Sequence, residues 1–212
     1  MFQMEESLKN FESLGLQNYK IEKADRINRV GDYFQSAIVP KLKSLNQKFF
    51  YLEIGSGHGH WLTSFASNKP NRLFIGIDLI SKRVRKAESK KSSSNLSNLF
   101  FIKAEASEFI DSIPNGIHIL STFIMFPDPW PKKRHFKNRL IQNHFLTKLA
   151  KSSTINSRLY FRTDHKDYFD WTVKHFHSHS SWEIYEDAWP HDSGSYFQGK
   201  FEKNFTCCAK LL

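Results

Sequence analysis

Short apolar runs alternate with segments of helical periodicity along most of the chain. Runs rich in Ile, Leu and Phe predict buried β-strands, and apolar residues three and four positions apart predict amphipathic helices. The predicted strands are residues 49–54, 72–77, 99–102, 117–124, 158–161, 182–185 and 205–211. The predicted helices are residues 61–67, 81–90, 104–112, 137–150 and 167–177.

This order of elements predicts the fold class. Five strand-helix alternations, followed by two strands with no long helix between them, are typical of an α/β protein with a doubly wound, mostly parallel seven-stranded sheet and a C-terminal antiparallel hairpin. Residues 1–48 are predicted to form a helical N-terminal lead-in, and residues 49–212 the domain that carries the site. Because open α/β sheets bind ligands beyond the carboxyl ends of their strands, residues that follow a strand are the first candidates for a site.

Composition narrows the class of partner. The 212 residues include 31 Lys and Arg against 21 Asp and Glu, a net charge of +10. Most of this excess lies in residues 82–91 and 126–140. A charge so concentrated favours a polyanionic partner, and the prolines and aromatic residues of the second segment favour nucleic acid over a membrane surface. For residues 82–91 a solvated helix face is an equally good interpretation.

The sequence also disfavours several classes. No apolar stretch approaches the length of a membrane span, and the first residues carry acids where a secretory signal needs positive charge, so we expect a cytoplasmic protein. Cys207 and Cys208 are adjacent in a predicted strand, where neighbouring side chains point to opposite faces, which predicts reduced thiols. The ten histidines show no recognised ligand spacing, so we expect no metal site.

The first predicted strand ends at a glycine-rich turn. Gly55, Gly57 and Gly59 allow a ligand to approach free backbone N–H groups at the start of the next helix. The dinucleotide fingerprint requires a glycine where this chain has His60, and Glu53 would repel a pyrophosphate. A carboxylate here suits a cationic ligand such as S-adenosylmethionine, which carries an ammonium and a sulfonium. A nicotinamide-dependent oxidoreductase is therefore the weaker interpretation.

Three further acids follow the next strands. Asp78 ends the second strand, 23 residues after Gly55, and this separation suits a carboxylate that accepts from both ribose hydroxyls. Glu105 follows the third strand, where we expect it to reach the adenine edge. Asp128 follows the fourth within residues 126–135, Phe-Pro-Asp-Pro-Trp-Pro-Lys-Lys-Arg-His, where prolines keep the backbone rigid and outside a helix. Trp130 in this segment either stacks on a base or packs beneath the loop. Four strand ends are thus predicted to present carboxylates to one crevice.

These motifs, together with Thr163-Asp164, resemble those of the bacterial tRNA (guanine-N7)-methyltransferases, which are class I S-adenosylmethionine-dependent enzymes. The resemblance covers about residues 49–201, and the proline-rich segment is its most specific part. It implies transfer of a methyl group from S-adenosylmethionine to N7 of a guanosine in tRNA, at position 46 of the variable loop. It also implies that Asp128 is the catalytic residue and that the cofactor is bound by Glu53, Gly55, Gly57, Asp78, Glu105 and Asp128.

The same resemblance implies how tRNA is held. Lys132 and Asp164 fall on positions that the family uses for substrate. Ser195 and Gln198 stand where the family has threonine and glutamate, so the hydroxyl is kept but a charge that would pair with the guanine edge is lost. The residues expected to contact the RNA backbone are Lys133, Arg134, Lys137 and Arg139. Either a monomer or a homodimer is compatible with this arrangement.

Three alternatives stay open from the residues themselves. One is a methyltransferase that acts on another RNA. A second is a methyltransferase of exocyclic amines, since those enzymes use a short proline-rich loop after the fourth strand. The third is a non-catalytic tRNA-binding module with the same fold, and the presence of all four acids disfavours it.

Overall fold

The structure is a computed structural model that describes residues 2–191 and 204–212, with side chains from residue 15 onwards within these ranges. The described residues form one sheet of seven strands in the spatial order β3-β2-β1-β4-β5-β7-β6. Strands β1 to β5 are parallel, and β7 runs antiparallel to both β5 and β6. The predicted doubly wound α/β fold with its C-terminal hairpin is therefore confirmed. The strands are β1 (Phe49–Ile54), β2 (Phe74–Asp78), β3 (Leu99–Lys103), β4 (His118–Met125), β5 (Ser153–Thr163), β6 (Trp182–Ile184) and β7 (Phe205–Leu211).

Helices pack on the two faces of this sheet because alternate strand residues point to opposite sides. In β1, Phe50 and Leu52 are buried in one core, while the ring of Tyr51 stacks on Phe74 in the other. The helices are α1 (Phe2–Tyr33), α2 (Val39–Ser44), α3 (His60–Ser67), α4 (Ser81–Ser93), α5 (Ala106–Asp111), α6 (Asn143–Lys151) and α7 (Lys166–Ser178), with a π-helical turn at Phe34–Ile38 and a 3₁₀ helix at Lys133–Asn138.

The residues before β1 are helical, and they join the same core as the sheet. Phe34 and Ile38 are fully buried, and the ring centroid of Phe34 lies 5.5 Å from that of Phe109 in α5. Arg26 of α1 also donates two hydrogen bonds to Glu108 of α5, at 2.9 and 2.7 Å. The α1 helix is thus fixed to the body of the protein through α5.

Two helix predictions need correction. The predicted helix over residues 137–150 is wrong in its first part, because residues 133–138 form a 3₁₀ helix, Arg139 is extended and α6 begins only at Asn143. The side chain of Gln142 donates to the carbonyl of Phe136 at 2.8 Å. A carbonyl near the end of the 3₁₀ helix is thus satisfied by a side chain, and the helix does not continue. The predicted helix over residues 104–112 starts two residues later, because Glu105 is its N-cap. Strand β5 is also much longer than predicted.

Other features of the described part of the chain lie away from the strand ends. None of its helices combines the length and apolar content needed to cross a bilayer, and no three of its His, Cys, Asp and Glu side chains gather where they would hold a metal ion. Cys207 and Cys208 are free thiols. An open depression of about 500 Å³ is lined by α1 residues between Glu22 and Asp32, none of which follows a strand.

Candidate active site

Acidic residues lie at or just beyond the carboxyl ends of five neighbouring parallel strands, at one edge of the sheet. Strand ends are level there, since Ile54 pairs with Ile77 on one side and with Ile124 on the other, and Ile124 pairs with Phe161. Strands β1 and β4 are adjacent although the chain order reverses between them, so this edge contains the topological switch point where α/β proteins bind ligands. The acids, in the spatial order of their strands, are Glu105, Asp78, Glu53, Asp128 and Asp164.

The glycine turn after β1 has two distinct parts. Gly55, Gly57 and Gly59 all adopt left-handed backbone angles, with φ of 78°, 56° and 71°. A Cβ added at Gly55 or Gly57 would meet no atom within 4 Å, whereas at Gly59 it would lie 2.5 Å from the ring of Phe101 and 2.8 Å from Ala87. The first two glycines therefore leave open space beside the backbone for a ligand. The third permits close packing of the turn against β3 and α4.

Asp78 fixes this turn through its carboxylate. It accepts hydrogen bonds from the backbone N–H groups of Gly57 at 3.0 Å and Ile80 at 2.8 Å, and Arg83 lies 3.7 Å away. The side chain is buried. A carboxylate has about four acceptor positions, so these contacts leave capacity to accept from the hydroxyls of a ligand.

Glu53 is a buried acid at this edge that is incompletely hydrogen-bonded. Its side chain is only 4% exposed, and within the described residues its Oε2 atom has no hydrogen-bond partner. Burial, and secondarily the negative charge of Asp78, raise the pKa of Glu53 to about 8. A buried carboxyl oxygen without a partner is costly, and a bound cation would supply the missing interaction. This orphaned oxygen and the open space beside Gly55 fit the ammonium end of S-adenosylmethionine.

Glu105 has a local structural role as a helix cap. Its side chain accepts from the backbone N–H of Glu108 at 3.0 Å and so caps the N-terminus of α5. N-capping of this kind is a common role for an acidic residue that follows a strand. The predicted contact of Glu105 with the adenine edge stays a prediction.

The proline-rich segment after β4 holds Asp128 at the protein surface. Phe126 and Trp130 lie on either side of it and have φ angles of 50° and 45°, which residues other than glycine rarely adopt. Asp128 itself is exposed to solvent. Trp130 is half-buried and meets His135 edge to face, with ring centroids 5.7 Å apart. Strained backbone of this type persists where surrounding contacts fix it, and it is concentrated at functional sites.

The Lys and Arg residues between positions 132 and 139 divide into two groups. Lys132, Lys133, Arg134 and Lys137 are exposed, as an RNA-facing surface requires. Arg139 is 2% exposed, and its Nε donates to the carbonyl of Pro129 at 2.9 Å. The prediction that Arg139 contacts the RNA backbone is therefore wrong, because its guanidinium is directed into the protein.

The remaining predicted substrate residues lie beyond β5. Asp164 is exposed and directly follows Thr163, whose buried hydroxyl accepts from the N–H of His165 at 3.1 Å. Ser195 and Gln198 fall outside the described residues. Their predicted roles stay predictions.

Known proteins that are similar to this chain are methyltransferases. A family model described as "Putative methyltransferase" matches residues 47–208. The tRNA (guanine-N(7)-)-methyltransferase of Wolbachia pipientis is 35% identical over 74% of this chain and 69% of its own length. That of Caulobacter vibrioides is 36% identical over 66% of this chain, which spans only 62% of the relative's length. The chain belongs to the tRNA (guanine-N7)-methyltransferase family.

Solved structures with low sequence identity share the fold of this chain. NSun6 from Pyrococcus horikoshii superposes with a TM-score of 0.58 at 16% identity, over 76% of this chain and 47% of that one. At this identity the likeness concerns the fold alone. The family match begins at residue 47, so it includes the acidic edge and the proline-rich segment, whereas α1 and α2 precede it.

Helix α4 brings further cations to the glycine turn. Lys90 lies 3.1 Å from the ring of His60, and Arg83 lies beside Asp78. Burial and the nearby cations of α4 lower the pKa of His58 as well. The only acid of α4, Glu88, contacts Lys91 and accepts from the N–H of Phe101. The number of charges in residues 82–91 does not by itself predict that this helix borders the glycine turn.

Proposed function

We propose that this protein transfers a methyl group from S-adenosylmethionine to N7 of a guanosine in tRNA, and that the guanosine is position 46 of the variable loop. The observation that carries the proposal is the unpartnered, buried Oε2 of Glu53 at the sheet's switch point, together with the exposed Asp128 of the proline-rich segment that follows the adjacent strand β4. Family membership supplies the reaction class.

The cofactor side is formed by residues of β1, β2 and the turn between β1 and α3. When bound, S-adenosylmethionine supplies a methyl group on a positively charged sulfur. Glu53 would accept from its ammonium, and Asp78 would accept from its ribose hydroxyls. Gly55 and Gly57 would admit it against the backbone, and Glu105 would limit the adenine pocket.

The substrate side requires little proton chemistry. Guanine N7 has an in-plane lone pair, so no base has to remove a proton before methylation. The main task is to align N7 with the methyl group, and such positioning contributes effective molarities of about 10⁵ to 10⁸ M at most. Asp128 would orient the base through its N–H groups and stabilise the positive charge that develops on the purine.

The RNA side combines exposed cations with an aromatic residue. Lys132, Lys133, Arg134 and Lys137 would contact phosphates, which position tRNA without reading its sequence. A base in the folded tRNA has to be loosened before its edge enters a pocket, and Trp130 would stack on it. Asp164 would contact the guanine. We further propose that the protein works in the cytoplasm as a monomer or homodimer.

The test uses the whole chain with labelled S-adenosylmethionine and unmodified tRNA transcripts. We expect label in the RNA and chemical strand cleavage at guanosine 46, which is diagnostic of N7 methylation. A transcript with adenosine at that position is the matched control and should stay unlabelled. Label on an exocyclic amine, or label that persists in the control transcript, would contradict the proposed target.

A further inference from the structure

Arg139 is a buried cation whose anchors are backbone carbonyls and aromatic rings. Its Nε donates to the carbonyl of Pro129 at 2.9 Å and its Nη1 to the carbonyl of Asp167 at 3.5 Å. Among the described residues no carboxylate forms an ion pair with it, and its Nη2 is buried without a hydrogen-bond partner. A guanidinium in this position is therefore expensive to bury and needs a compensating function.

Three rings surround this guanidinium. Its central carbon lies 3.8 Å from the ring centroid of Phe136, 5.0 Å from that of Tyr168 and 5.2 Å from that of Trp171. Cations over aromatic faces are attracted by the ring quadrupole, and more strongly where water is excluded. We call Arg139 and these three rings the arginine socket.

The socket is itself held by the backbone that follows Arg139. Trp171 donates its indole N–H to the carbonyl of Ile141 at 2.7 Å, and the hydroxyl of Tyr168 accepts from the N–H of Ile141 at 3.3 Å. Both rings belong to α7, which packs on the sheet through its fully buried Tyr168 and Phe176. Two of the three rings around the guanidinium are thus held by a helix that is packed on the sheet.

The hydrogen bond to Pro129 links the socket to the residue next to Asp128. Proline has no N–H, so its carbonyl is the backbone group through which this part of the loop can be anchored. The loop has left-handed φ angles at Phe126 and Trp130, and such strain persists only when neighbouring contacts fix the backbone. A charged donor to a carbonyl is stronger than a neutral one, which suits this task.

We propose that Arg139 is a positioning residue: it holds the proline-rich segment, and with it Asp128, at the distance from the sheet that methyl transfer requires. This inference rests on the proposed function. It replaces the predicted phosphate contact by an internal one. Displacement of a reacting group by about 1 Å costs on the order of a hundredfold in rate, so loosening this anchor should lower turnover.

The test compares Arg139→Lys and Arg139→Met with Lys133→Ala, which removes an exposed cation of the same segment. Lysine keeps the charge but lacks the planar fork, and methionine keeps the apolar stem. For both Arg139 variants we expect kcat to fall about tenfold or more, while KM for tRNA, its salt dependence and the affinity for S-adenosylmethionine change less than about twofold. In Lys133→Ala the change should instead fall on tRNA binding, with a lower affinity and a weaker salt dependence.

Hydrogen exchange of residues 126–135 provides a readout that needs no activity. We expect faster exchange in both Arg139 variants and unchanged exchange in Lys133→Ala. If the wild-type protein methylates no tRNA, the proposed function fails, yet this measurement still decides whether Arg139 fixes the segment. Should both Arg139 variants fail to fold, Phe136→Leu, which removes the nearest ring at a half-buried position, gives the same comparison. Normal kcat and unchanged exchange, or a loss confined to tRNA binding, would overturn the proposal.

Discussion

The two halves of the acidic edge differ in how their carboxylates are held. In the half after β1, β2 and β3, Glu53 and Asp78 are buried and Glu105 caps a helix. In the half after β4 and β5, Asp128 and Asp164 are exposed on loops. A small cationic ligand can be enclosed by groups that are fixed in advance, whereas a macromolecule has to reach groups at the surface. We call these the cofactor half and the substrate half.

The two halves also differ in the free-energy cost of holding their carboxylates in place. Carboxylates of the cofactor half lose water on folding, which is why the pKa of Glu53 is raised to about 8. Those of the substrate half keep their water, and there the cost lies in the strained backbone at Phe126 and Trp130. Substitutions in the first half should therefore change cofactor affinity, and those in the second should change turnover or RNA binding.

The largest effect is expected at Asp128. Asp128→Ala should lower turnover by about a hundredfold or more, because orientation of the base and stabilisation of its positive charge are both lost. Binding of S-adenosylmethionine should stay measurable by calorimetry. Asp170→Ala, at an exposed position of α7 that pairs with Lys166, is the control and should be neutral. Near-normal turnover of Asp128→Ala in a labelled-methyl assay would remove the catalytic role.

The next largest effect is expected in the cofactor half. Asp78→Ala removes a charged acceptor for ribose hydroxyls and also releases the N–H of Gly57, so the Kd for S-adenosylmethionine should rise by about tenfold or more. The Kd for tRNA alone should not change. Calorimetry with each ligand measures both. If cofactor affinity is unchanged while tRNA affinity falls, the division into two halves is wrong.

Glu53 makes the cofactor half dependent on pH. A group whose pKa is raised on folding is protonated below about 8 and has to lose its proton to pair with an ammonium. The ratio of wild-type affinity to Glu53→Gln affinity for S-adenosylmethionine should therefore increase on the order of tenfold between pH 6.5 and 8. Titration of the ligand's own amine is common to both proteins and cancels in this ratio.

The same shift predicts how stability depends on pH. The folded state holds a proton on Glu53 that the unfolded state releases near its ordinary pKa of 4.5, so this group's contribution to stability is lost as pH rises towards about 8. Denaturant unfolding should give Glu53→Gln a flatter pH dependence than wild type over this range. An affinity ratio and a stability difference that are both independent of pH would show that Glu53 is already ionised.

The sequence predicts where the acids of both halves lie better than it predicts which way the cations beside them point. Apolar runs mark strand ends, so the sequence predicts correctly that Glu53 and Asp78 lie at the ends of β1 and β2 and that Asp128 lies in a loop after β4. The prediction for Arg139 is wrong because a positive charge was taken to imply exposure, and the helix predicted over residues 137–150 runs across a backbone that is extended at Arg139. Which way a cation points depends on contacts distant in sequence, here the rings of α7, and no local pattern reports them.

The smallest effect is expected from a pair of exposed cations, and it tests the substrate half directly. Changing Lys133 and Lys137 together to alanine should lower the slope of log Kd against log salt by about one to two units, because each phosphate contact contributes just under one. Lys48 and Lys69 are exposed, and Lys48 directly precedes β1, at the opposite edge of the sheet. Their double alanine variant is the matched control and should leave the slope unchanged. Both double variants lose two positive charges. If they lower the slope of log Kd against log salt equally, tRNA binding responds to net charge alone. The proline-rich segment would then have no specific role as the RNA surface.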